Sequence, residues 1–276
     1  MHTELIPSKL HLPSPDTYGH KYDRGHALIY AAPDMTGATR LAATACNRIG
    51  AGLVTVLASQ RADIYRAALP PDIIVREHDK PDQPNGTDEV IGIAGIQPHP
   101  RRLTALLGGC GGISRAHKQN LYENKLNLPR IIDADALPEA GNWAWIDAQT
   151  ILTPHAGEFQ NSFPDLTGTP SEKTIKAARL CGGVVLLKGP ETLIASPAGQ
   201  LARHLRPDPN LAKGGTGDVL SGFITGLVAQ GLPVFEAACT AVYIHSEAAR
   251  RLGAGLVASD METIVPQILQ DMLAMR

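Results

Sequence analysis

Apolar positions along this chain alternate between two rhythms. Short unbroken runs at Ala27–Ala31 (ALIYA), Leu53–Leu57 (LVTVL) and Val184–Leu187 (VVLL) read as buried strands. Ile73–Val75, Thr104–Leu107, Arg130–Ile132 and Thr150–Leu152 read as shorter ones. Between them lie stretches with helical spacing: Ala38–Ile49, Gln60–Ala68, Arg115–Asn124, Gly157–Phe163, Glu172–Leu180, Phe235–Leu252 and Met261–Met275. Glu191–Ala195 and Gln200–His204, joined by Pro197-Ala198-Gly199, form a hairpin pattern. Residues 1–19 are proline-spaced and irregular, and predict an extended arm or a short lead-in helix. Lys80–Asp88 predicts a polar loop, and 89–107 is ambiguous up to the strand near its end. Strands alternating with helices predict an α/β layered domain with a mostly parallel sheet. No linker divides the chain, so one domain over 1–276 is expected.

The strongest chemical signal is Asn210–Gly231, NLAKGGTGDVLSGFITGLVAQG. Val219, Leu220, Phe223, Ile224, Leu227 and Val228 recur at helical spacing, and Gly231 and Pro233 end the helix. Gly214–Gly217 therefore sits at a helix N-terminus, where unpaired N–H groups and the positive end of the dipole favour an anion. Asp218 falls on the first turn. The same residues also fit a glycine-rich loop before an ordinary buried helix, with Asp218 complementing the dipole. The chain contains neither the G-x-x-x-x-G-K-[ST] loop nor the G-x-G-x-x-G fingerprint of dinucleotide folds.

Composition narrows the classes. The 276 residues carry a net charge of −2, and only four Phe and two Trp, which argues against nucleic acid as a partner. No apolar run is long enough to span a bilayer, and no signal-peptide pattern opens the chain. Cys46, Cys110, Cys181 and Cys239 lie far apart, outside any metal-ligand or C-x-x-C spacing, and read as reduced, buried thiols of a cytoplasmic protein. No H-E-x-x-H or G-x-S-x-G pattern occurs, which excludes the common zinc-protease and serine-hydrolase arrangements.

Ligands of parallel sheets gather at the carboxyl ends of the strands. The loops expected there are Ala31–Gly37, Gly108–Gly112, Asp133–Asp135, Thr153–Glu158 and Lys188–Thr192. Lys188 is either a point charge for phosphate or a surface lysine at a turn. His155 is a candidate donor to a polar substrate with Glu158 orienting it, while Thr153 and Glu158 also fit a helix start. Asp133 and Asp135 fit either Mg²⁺ ligation through water or a helix N-cap pair. His245 reads as a helix-packing histidine.

GGTGDVLSG resembles the G-G-[ST]-G-D-x-L-[AS]-G signature of the ribokinase-like superfamily. With MTGA, GAGLVTV, IIDADAL, LTPHAGEF and VVLLKGPETLI in order across roughly residues 20–231, the chain resembles the ADP- or ATP-dependent NAD(P)H-hydrate dehydratases. The resemblance implies a three-layer α/β/α sandwich with a mostly parallel central sheet. It implies repair of hydrated NADH or NADPH, in the (S)-form, at the expense of a nucleotide, with AMP and phosphate released from ADP. Asp218 is then the base that also contacts the hydrate, and Gly215, Thr216 and Gly217 form the anion hole. Lys188, Gly189, Pro190, Glu191, Thr192 and Gly217 contact the nucleotide; Ala38, Gly111 and His155 contact the hydrate. Mg²⁺ accompanies the phosphates, with Asp135 as a candidate ligand. A homo-oligomer, commonly a tetramer, is expected, as is the absence of the epimerase domain fused in front in some members.

Two departures stand on the hydrate side. Ala31-Ala32-Pro33 replaces the usual G-G-S, and Gly109-Cys110-Gly111-Gly112-Ile113 replaces G-P-G-L-G, so that Ile113 is expected to add bulk there. Two other readings share the helix N-terminus: a kinase of a small hydroxylated metabolite such as a vitamin precursor, and a non-catalytic nucleotide-binding relative.

Overall fold

The computed structural model describes residues 3–14, 16–77 and 102–275. The expected loop Lys80–Asp88 and the ambiguous stretch to 101 lie outside the described residues. The strands are β1 (Thr3–Glu4), β2 (His26–Tyr30), β3 (Leu53–Ala58), β4 (Ile74–Glu77), β5 (Ala105–Gly108), β6 (Arg130–Ile132), β7 (Thr150–Leu152), β8 (Val184–Leu187), β9 (Thr192–Ala195) and β10 (Leu201–His204). The helices are α1 (Thr36–Arg48), α2 (Ala62–Ala68), α3 (Arg115–Glu123), α4 (Ala156–Ser162), α5 (Pro170–Cys181), α6 (Thr216–Ala229), α7 (Val234–Leu252) and α8 (Met261–Ala274). One sheet carries the order β1-β10-β9-β8-β7-β6-β5-β2-β3-β4. Only β9 runs antiparallel to its neighbours, as the hairpin pattern requires.

Side chains of each strand divide between two apolar layers with the period of two that a strand imposes. Ala27 and Ile29 of β2 join the cluster under α1, α6, α7 and α8, whereas Leu28 and Tyr30 join the one under α3, α4 and α5. The sheet is thus buried on both faces, which is why its strands read as continuous apolar runs. α6 lies close against α1. A Cβ at Gly222 would collide with the carbonyl of Ala42, and one at Gly226 would lie 2.6 Å from that of Cys46. Small residues at this spacing let the helix carrying the glycine corner sit tight on the sheet.

The N-terminal arm is not irregular throughout. Thr3–Glu4 pairs in parallel with Ala202–Arg203 at the sheet edge; two residues are too few to produce a periodic signal. α5 begins at Pro170, before the expected Glu172. Proline is tolerated at the first helical position, and Thr169 and Glu172 form a capping box in front of it. No helix of the described residues is long and apolar enough to cross a membrane.

The strands β8, β7, β6, β5 and β2 are consecutive and parallel. Their carboxyl ends therefore open on one rim, and the N-terminus of α6 meets it there.

Candidate active site

Gly215 is the N-cap of α6 with φ +90°, a conformation that favours glycine. Among the described residues, no acceptor faces the amides of Gly215, Gly217 and Asp218. The Thr216 amide makes a long bond of 3.4 Å to the Lys213 carbonyl, and the Thr216 hydroxyl donates back to Leu211 and Lys213. Of the expected anion hole, Gly215 and Gly217 thus present open donors, while Thr216 mainly shapes the loop. His245 of α7 adds a support: its Nε2 lies 2.8 Å from the Thr216 carbonyl. Burial pushes this imidazole down to about 4, so the neutral ring donates that bond. The histidine packs between helices as its sequence context implied, and it also braces the first turn of α6.

Lys188 follows β8, where its amide pairs with the Pro154 carbonyl. Its ammonium lies 3.6 Å from where a Cβ would stand on Gly217, beside the open amides. Burial opposes its charge, but Asp133 and then Glu158 outweigh that and hold the amine above the usual lysine range. Lys188 is therefore a fixed cation at the helix N-terminus, not a surface lysine at a turn.

Asp133 is the hub that spacing alone did not single out. It is 2% exposed. Its Oδ1 accepts from Thr153 Oγ1 at 2.8 Å and Lys188 Nζ at 2.9 Å. Its Oδ2 accepts from Ser221 Oγ at 3.0 Å and Cys110 Sγ at 3.6 Å. Cys110, Asp133 and Asp218 place one ligand-type atom each within 4.8 Å of one another. In this company the half-buried Asp218 carboxyl is pushed up to about 6. Burial is the main cause and the Asp133 charge the second, against the opposing pull of Cys110 and Lys188.

Asp135 does not share this place. Ala134 between the two aspartates has φ +42°, and the chain turns there into a short 3₁₀ helix that leaves Asp135 exposed. Neither aspartate caps that helix with its side chain. Asp133 and Cys110 do not make a resident Mg²⁺ site, and Asp218 alone supplies too few ligands. Such a site needs carboxylate oxygens with lone pairs to spare, whereas both Asp133 oxygens already accept two bonds each and Cys110 offers a soft sulfur.

A cleft of about 530 Å³ opens beside Lys188 and Gly217. Gly189, Pro190 and Thr192 line it. Glu191 does not; it pairs with Arg203. Leu211, Leu220 and Val242 supply an apolar wall, and His204 and His245 also line the cleft. His155 lines this same cleft, apart from the Ala38–Gly111 contact. It is the N-cap of α4 itself. Its Nδ1 accepts from the Gly157 and Glu158 amides at 3.0 and 3.3 Å, and the Glu158 carboxylate accepts in turn from the His155 amide. The helix start is one residue pair later than Thr153, whose hydroxyl turns inward to Asp133 instead.

Outside the lining of this cleft, Gly111 meets Ala38. A Cβ at Gly111 would lie 2.6 Å from that of Ala38. Thr39 stitches the two altered loops: its hydroxyl accepts from the Ala32 amide and donates to the Cys110 carbonyl. Ile113 does not crowd this side. It packs against the outer layer near Leu121, where Gly108 leaves room for both.

The family model described as NAD(P)H-hydrate dehydratase matches residues 27–270. A curated ADP-dependent (S)-NAD(P)H-hydrate dehydratase of Neisseria meningitidis is 31% identical over 256 residues, covering 85% of this chain and 81% of that protein. The ADP/ATP-dependent NAD(P)H-hydrate dehydratase of Bacillus subtilis, crystallised with ATP and Mg²⁺, superposes with a TM-score of 0.78 at 28% identity, over 96% of each chain. A ribokinase-like superfamily protein of Enterococcus faecalis superposes at 0.81 with 21% identity, over 98% of this chain and 96% of that one, and shares the fold. The chain spans about half the length of other curated relatives that it matches.

Proposed function

Since this chain belongs to the NAD(P)H-hydrate dehydratase family, we propose that it removes water from hydrated NADH or NADPH at the expense of a nucleoside phosphate, ADP being the first choice. The nucleotide lies in the cleft walled by Leu211, Leu220 and Val242, with its phosphates at the Gly215 and Gly217 amides and the Lys188 ammonium. The hydrate lies across α6, towards Ala38 and Gly111. The hydrate's hydroxyl oxygen attacks the terminal phosphorus while Asp218 takes its proton, and the bond to the nucleotide's bridging oxygen breaks. From ADP this releases AMP. The ring nitrogen's electron pair then expels phosphate from the carbon, and loss of a proton from the adjacent ring carbon restores the double bond. Positioning and charge do most of this work.

One observation carries the reading: open amides, a fixed cation and a carboxyl with raised proton affinity converge at one helix N-terminus. Phosphorus NMR of a reaction with hydrated NADPH and ADP tests it. AMP, inorganic phosphate and reduced dinucleotide in equal amounts are expected. Accumulation of a stable phosphate ester would assign the site to a kinase instead.

A further inference from the structure

Asp133 does more than fill a buried position. Its carboxylate touches side chains from four separate segments: the loop after β5 (Cys110), the end of β7 (Thr153), the end of β8 (Lys188) and α6 (Ser221). Ser221 stands three residues after Asp218, one turn along the same helix face. The position of that turn relative to the strand ends is therefore registered through a single carboxylate. Asp133 is itself held in place. Its amide bonds the Gly108 carbonyl, and its own carbonyl lies where any side chain on Gly109 would have to go.

We infer that Asp133 is a positioning residue of the phosphoryl-transfer step, which anchors the Lys188 ammonium at the anion site and whose charge, added to burial, strengthens Asp218 as a base. This rests on the dehydratase reading above. The charged and titratable groups around Asp218 are Asp133, Cys110 and Lys188, and Glu158 of α4 faces Lys188 from the far side. His245 of α7 is neutral and engaged with Thr216. The Cys110 thiol is held well above its ordinary range by burial and by the neighbouring carboxylates, so it is a donor here and not a second anion. Asp133 is thus the anion next to Asp218, and Lys188 the cation that partly offsets it. An anion so placed opposes a second one, which leaves Asp218 readier to accept a proton from an alcohol.

The test is the pH dependence of kcat/KM for Asp133→Asn, which keeps the shape and removes the charge. Activity of the unaltered protein rises with pH as Asp218 loses its proton. In the variant this limb moves to lower pH by about one unit, so the activity on the acid side, relative to the plateau, increases about tenfold. The plateau itself falls, and KM for the nucleotide rises as Lys188 loses its anchor. A residue that only braced the fold would lower the plateau and leave the limb in place, and a limb due to the nucleotide's own phosphate would also stay. Lys188→Met gives the opposite sign and serves if Asp133→Asn does not fold: the uncompensated Asp133 charge moves the limb to higher pH. An unmoved limb in either variant overturns the inference. No turnover by the unaltered protein removes the dehydratase reading itself, and the inference with it.

Discussion

A carboxylate that must lift a proton from an alcohol works best when its own proton affinity lies near the working pH. An ordinary aspartate is too weak a base for this. Asp218 is pushed up to about 6, first by burial and then by Asp133. A base is active when ionised, so kcat/KM is expected to rise with pH through about 6 and to level above it. Asp218→Asn is expected to lower kcat by roughly 10²–10⁴-fold, the usual worth of a positioned general base, while ADP binding measured by calorimetry stays intact. Loss of binding without loss of turnover per bound nucleotide would move the proton-accepting role elsewhere. The glycine corner and Asp218 were legible because they form a local string. Asp133 was not separable from Asp135, because the alternation of side chains ends with the strand. It is the positive φ of Ala134 that turns one carboxylate inward and the other out.

Elements carry the site by meeting at their ends. The strands announced themselves through apolar runs, and α6 through its period, since both are buried against the sheet. Caps were harder to read. His155 serves as the N-cap of α4 through Nδ1, a part that serine, threonine or aspartate usually takes, so Thr153 was the natural choice from sequence. The bond from His245 to Thr216 joins residues 29 apart in the chain, on two different helices, and no spacing rule reaches that far. Its removal should be felt at the nucleotide. His245→Leu removes the side-chain bond that the Thr216 carbonyl accepts and loosens the first turn of α6, so KM for ADP should rise about tenfold, the worth of one buried hydrogen bond. His245→Gln, whose amide can donate in the same direction, should recover most of it. Equal KM values for His245→Leu and the unaltered protein would show that the turn needs no such brace.

At the scale of the whole molecule, the order of strands decides what can meet. β8, β7, β6, β5 and β2 stand side by side, and each contributes one loop to a common rim. The cleft proposed for the nucleotide adjoins the α6 corner, lined by Lys188, Gly189 and Thr192, and the Ala38–Gly111 contact proposed for the hydrate lies outside that lining. A phosphoryl group moving between two such ligands would cross the helix N-terminus, where its charge is met by Gly215, Gly217 and Lys188. The altered loops at Ala31–Pro33 and Gly109–Ile113 keep this layout, since Thr39 ties them together and Ile113 turns outward. The most direct measurement is recovery of the reduced nicotinamide absorbance when hydrated NADPH is incubated with the protein and ADP or ATP. The dehydratase chemistry requires nucleotide-dependent recovery, which Asp218→Asn slows by roughly 10²–10⁴-fold. Absorbance that never returns with either nucleotide, although the nucleotide binds, or that returns equally fast with Asp218→Asn, would contradict it.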